Sequence, residues 1–71
     1  MRKYLKELRK KAGYTQTDMA RMLKITNASY AMIELGERQK DMSISFAEKL
    51  SKAFNVPVSL IMEEEAKLRR E

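Results

Sequence analysis

A chain of 71 residues with neither cysteine nor histidine is barred from much chemistry before any pattern is read. A disulfide framework, a thiolate nucleophile and a thiolate metal site are impossible, and the commonest general base and metal ligand is missing, so no enzyme activity, metal or cofactor is expected. Fifteen lysines and arginines against ten acids leave a net charge of +5, which favours a polyanionic partner.

The longest apolar runs are too short to span a bilayer or to act as a signal peptide, so a cytoplasmic protein without a membrane partner is expected. A single domain this small buries only about 60% of its unfolded surface, which makes dimerisation or tight helix packing a natural expectation.

Tyr4, Leu5, Leu8 and Ala12 recur at helical spacing and predict an amphipathic helix over Arg2 to Lys11, stopped by Gly13. Thr15 can cap a second helix while Asp18 reaches back in a short-armed capping box, and Met19, Ala20 and Leu23 face inward. That helix ends by Leu23 or Lys24. Thr26 then caps a third helix from Asn27 to about Leu35, closed by Gly36. After a polar loop from Gly36 to Met42, Ser45-Phe46-Ala47-Glu48 reads as a full capping box. It opens a fourth helix that buries Phe46, Ala47, Leu50, Ala53 and Phe54. Asn55-Val56-Pro57 breaks it, and Pro57 suits the start of a last helix over about 57–69. This helix carries Val58, Ile61 and Leu68 on one side, with Glu63–Lys67 and Glu65–Arg69 as i,i+4 pairs. The expected fold is all-α, five short helices in one domain spanning residues 1–71.

The second and third helices, about eight residues each with a short connection, match helix-turn-helix geometry. "GYTQTDMARMLKITNASYAMIELGE", Gly13 to Glu37, resembles the core of the Cro and lambda-repressor-like helix-turn-helix family, the XRE-type regulators. The matching positions are Gly13, Thr15, Gln16, Met19, Ala20, Leu23, Ile25, Thr26, Ile33, Glu34 and Gly36. The resemblance implies a five-helix lambda-repressor-like domain, with its motif at about 16–35 and its third helix in the major groove of double-stranded DNA. It departs from the family pattern at Lys24, where a turn glycine is usual, at Tyr30 in the apolar seam, and at Asp41.

The stretch "ITNASYAMIE", Ile25 to Glu34, has no lysine or arginine in an otherwise basic chain. Ile25, Tyr30 and Ile33 belong to the seam, which leaves Asn27, Ala28, Ala31 and Met32 on the outer face. An asparagine amide can bond an adenine edge, and alanine or methionine can touch a thymine methyl. The expected phosphate contacts are Thr15, Gln16, Lys24, Thr26, Ser29, Arg38 and Lys40, with Gln16 at the start of a helix where the dipole favours an anion. The resemblance implies that Arg9 and Glu34 form a structural ion pair. Val58, Ile61, Met62 and Leu68 are the expected surface of a homodimer bound to an inverted repeat. No small-molecule ligand is expected. The competing reading keeps the same scaffold as a protein-interaction module, antitoxin-like or antirepressor-binding, because Ala28, Ala31 and Met32 could equally meet protein.

Overall fold

Five helices make up the computed structural model, which describes residues 1–70: α1 Lys3–Ala12, α2 Gln16–Leu23, α3 Asn27–Leu35, α4 Ile44–Phe54 and α5 Val58–Arg70. No strand occurs among the described residues, so the fold is all-α with five helices, as expected. α2 packs on α3 and α4, α1 on α3 and α4, and α5 on α4. No helix is long and apolar enough to cross a membrane.

The core follows the helical periodicity. Leu5 from α1, Met19, Ala20 and Leu23 from α2, Tyr30 and Ile33 from α3, Phe46, Ala47 and Leu50 from α4, and Ile61 from α5 are all buried. Ala20 is 1% exposed, at the place where α2 lies against α3 and α4, so a larger side chain there would force the helices apart. Met42, read as part of a polar loop, is also buried and closes the core beneath that loop. Ala12, by contrast, is exposed.

Each helix boundary has a chemical cause. Gly13 and Gly36 end α1 and α3 in the left-handed conformation, with φ of 79° and 85°. Thr15 caps α2 in a reciprocal box with Asp18. The Thr15 backbone N–H and then its hydroxyl hold the Asp18 carboxyl below its usual value. Thr26 caps α3 by accepting from the Ser29 N–H. The fourth cap differs from the expected Ser45 box: Ser43 accepts from the Phe46 N–H, and α4 begins at Ile44. Both serines precede Phe46, but only Ser43 lies three residues before an N–H that its side chain can reach.

Arg2 is the largest correction. It stands before α1 rather than within it, is only 2% exposed, and faces Glu65 of α5, which is 3% exposed. Its Nε donates to Glu65 Oε2 at 2.7 Å and one Nη2 bond reaches Oε1 at 3.0 Å. Nη1 donates to the carbonyls of Ile33 at 2.7 Å and Arg38 at 2.9 Å, and Nη2 also meets the Gln39 carbonyl. The Tyr4 hydroxyl donates to Glu65 as well. Burial, and then that bond, push the Tyr4 phenol up, so it remains a donor. Glu65 is thus engaged with Arg2 instead of Arg69, which lies 3.7 Å from Asp41. Lys67 pairs with Glu64 at 3.1 Å rather than with Glu63.

A second ion pair joins α1 to α3, with Arg9 Nε 2.7 Å from Glu34 Oε2. Arg9 also donates to the Tyr14 carbonyl at 3.1 Å. Tyr30 is fully buried beside it, and no protein group bonds its hydroxyl. Burial, followed by the neighbouring Glu34 carboxylate, pushes its phenol up. Burial alone would raise the Glu34 carboxyl too. Bonding from Arg9, with Gln16 alongside, outweighs that effect and holds it below its usual 4.5.

Three outcomes are expected. Glu65→Ala should cost about 3–5 kcal/mol in denaturant unfolding, because it leaves a buried guanidinium without its counter-charge; a loss under about 1 kcal/mol would mean that the three carbonyls suffice. Lys24→Gly should raise the melting temperature by several degrees, since Lys24 sits at φ 58° and relief of about 1–2 kcal/mol exceeds the added chain entropy of about 0.5–1 kcal/mol. Ionised Glu34 stabilises the fold fully above its unfolded value near 4.5, and the contribution fades as pH falls through the lower folded value. Glu34→Gln should therefore melt at a lower temperature at pH 7 and lose less on acidification; parallel melting curves against pH would exclude Glu34 as the source.

Candidate nucleic-acid interface

The connection between α2 and α3 sets the geometry of the surface. Lys24 takes the left-handed conformation in the place of a glycine, and its N–H closes on the carbonyls of Ala20 and Arg21. Ile25 then donates to the Ala20 carbonyl at 2.9 Å and tucks its half-buried side chain against the core. The chain turns in three residues, Lys24 to Thr26, and α3 starts at Asn27 with its first turn exposed: Asn27 and Ala28 face solvent, and Ser29 is half-buried.

The rest of α3 is less open than its periodicity suggested. Ala31 and Met32 are half-buried rather than fully exposed, and Glu34 is buried. The outer face narrows to the N-terminal turn, where Asn27 and Ala28 stand furthest out. Leu35, at the other end, is 52% exposed and was not singled out in the sequence, because its position matches neither the seam nor the first turn.

The polar side chains around this turn are already organised. Thr26 Oγ1 accepts from Ser29 N and donates to Ser29 Oγ at 3.0 Å, which leaves the Ser29 proton free to meet an acceptor. Thr15 Oγ1 accepts from Asp18 N within the reciprocal cap. Gln16 does not project freely from α2: its Nε2 donates to Glu34 Oε1 at 3.2 Å. One amide proton and the carbonyl oxygen remain available, so Gln16 ties the start of α2 to the end of α3. Asn27 Nδ2 donates to Thr17 Oγ1 at 3.0 Å, a partner not foreseen from sequence. Only the fold brings a threonine ten positions earlier beside it.

Of the cations, only Lys24 stands next to this turn, in the connection that precedes it; Arg38 and Lys40 follow the other end of α3. Lys24, Arg38 and Lys40 are exposed, and Arg38 follows α3 on a loop whose carbonyls are held by Arg2. Glu37 and Asp41 are exposed on the same loop and reduce its net charge. The arrangement is an uncharged helix start with hydroxyls beside it, one lysine before it and two further cations past the far end of the helix.

At α5, the structure separates the residues expected in a dimer surface. Ile61 is 0% exposed and lies in one buried cluster with Leu50 of α4, so it belongs to the core of the protomer and cannot be offered to a partner. Val58, Met62 and Leu68 are half-buried, whereas Leu60, unremarked in the sequence, is 37% exposed.

Comparison with known proteins agrees with this geometry. The helix-turn-helix family model matches residues 5–61, from α1 into α5. The "Uncharacterized HTH-type transcriptional regulator YqaF" of Bacillus subtilis (strain 168) is 42% identical over 52 residues, covering 70% of this chain and 68% of that protein. No solved structure matches the chain. With the motif, its caps and its flanking helices all in register, the chain belongs to the XRE-type helix-turn-helix family, a family of DNA-binding transcriptional regulators and not of enzymes.

Proposed function

We propose that this protein is a sequence-specific repressor that binds an inverted-repeat operator as a homodimer, with the first turn of α3 in the major groove. The observation that carries the reading is the exposed, uncharged pair Asn27 and Ala28 at the start of α3, with the Thr26 and Ser29 hydroxyls beside it and Lys24 just before it. Charge gives affinity for any duplex, whereas sequence is read by hydrogen bonds and apolar contacts on base edges. A helix that reads bases gains from lacking lysines, which bind phosphate wherever they find it.

Asn27 is the direct reader, Ala28 an apolar contact, and Ala31 and Met32 a secondary fringe that touches DNA only if the groove closes over the half-buried part of α3. Thr15, Thr26, Ser29, Lys24, Arg38, Lys40 and the free amide proton of Gln16 hold the backbone. Repression by occupancy is the simplest action that such a surface supports. The dimer surface is α5, through Val58, Leu60, Met62 and Leu68; two-fold pairing there would present two α3 helices to half-sites about one turn apart.

The protein-interaction alternative keeps the scaffold but predicts no operator. Selection from random duplex DNA should yield a consensus with two-fold symmetry. Affinity for it should fall with salt at a log–log slope of about −0.9 per phosphate neutralised. No enriched sequence together with a flat salt response would overturn the DNA reading in favour of a protein partner.

A further inference from the structure

The bond between Asn27 and Thr17 has a directional consequence. Thr17 is the second residue of α2 and occupies a position that the family motif leaves open. Its Oγ1 lies 3.0 Å from Asn27 Nδ2, and both residues are exposed. Gln16, the neighbouring long amide, is turned away toward Glu34, so the hydroxyl rather than Gln16 holds Asn27 from the side of α2.

A threonine hydroxyl has one proton and two acceptor sites, and it can face an amide in either sense. In the free protein it can therefore accept from Nδ2 or donate to Oδ1, and the asparagine amide can take either of its two orientations. A DNA phosphate accepts and never donates. Once the exposed Thr17 hydroxyl gives its proton to a phosphate oxygen, it can only accept from Asn27. The amide must then keep Nδ2 toward Thr17. That leaves Oδ1 and the second Nδ2–H facing the groove, the pair complementary to adenine N6–H and N7. The flipped amide would place an N–H where guanine offers O6.

We propose that Thr17 is a positioning residue for base recognition: it transmits the fixed polarity of a DNA phosphate to the Asn27 amide and so makes Asn27 select adenine over guanine. The proposal rests on the DNA-binding reading above. Thr17 touches no base. Its effect is on discrimination at one base pair, separate from any contribution to overall affinity.

The test uses the full chain on the operator selected from random DNA. The relevant base pair is the one whose preference collapses in Asn27→Ala. At that pair, the ratio of affinities for A·T over G·C is measured for wild type, Thr17→Val and Thr17→Ser. Thr17→Val should lose roughly tenfold in the ratio, of the order of a misplaced bidentate contact, while Thr17→Ser keeps it. In an Asn27→Ala background, Thr17→Val should change the ratio no further. Circular dichroism checks folding, and Thr17→Ala replaces Thr17→Val if the valine perturbs the helix. A wild-type ratio in Thr17→Val, or a loss in Thr17→Ser equal to that in Thr17→Val, overturns the role of Thr17 and leaves the DNA reading standing. Absence of any selected sequence, or an Asn27→Ala protein with unchanged preferences, overturns the reading of Asn27 and the proposal together.

Discussion

The guanidinium of Arg2 is the interaction on which the arrangement of helices depends. An arginine has five N–H donors in a rigid fork, and here the bonds to Glu65, Ile33, Arg38 and Gln39 engage all of them. A buried charge is tolerated only when it is both paired and fully bonded, and Arg2 meets both conditions. Its partners come from α3, the loop after it and α5, while its own backbone N–H donates to the Glu34 carbonyl at 2.8 Å. One side chain therefore fixes the end of α3, the path of the loop and the seat of α5 together. The positive charge also lies at the C-terminus of α3, where the helix dipole favours it.

Arg9 and Glu34 complete the frame from the other side. Glu34 receives Arg9 from α1 and Gln16 from α2, so the last turn of α3 is held by two helices while Arg2 holds its carbonyls. The first turn of α3 is held by its Thr26 cap, the Thr26–Ser29 hydroxyl bond and the Asn27–Thr17 bond, all exposed. Rigidity is concentrated at the end of α3 away from the proposed bases. The reading end keeps donors and acceptors that can exchange water for DNA. Gln16 changes meaning in this light. Its amide braces α3 through Glu34, so any contact with phosphate builds on a side chain whose position is already set.

What could be read from sequence follows from the range of the forces involved. Caps and periodicity act within a few residues, and the bounds of α3, the Thr15 box with Asp18, and the stops at Gly13 and Gly36 were all legible for that reason. The Ser45 box failed because two serines compete at one helix start, and only backbone geometry selects Ser43. Arg2 and Glu65, 63 positions apart, carry no local signal, since a charged residue near a terminus reads as solvated by default. Glu65 was assigned to Arg69 because i,i+4 spacing is visible in a string and a tertiary contact is not. Ile61 shows the same limit, because periodicity marks an apolar side of α5 without saying whether it meets the protomer's own core or another copy.

The departures from the family pattern are absorbed in different ways. Lys24 accepts the strained left-handed conformation that glycine would take freely, so the turn keeps its shape at a cost in stability. Tyr30 is absorbed by volume: its ring fills the seam completely, and the hydroxyl is carried inside unbonded, next to a carboxylate that is already satisfied by Arg9. α3 runs unbroken through it from Asn27 to Leu35. With Ala31 and Met32 half-buried, the proposed recognition falls to the first turn of α3, and on that proposal the orientation of a single amide carries much of the information that the surface can hold.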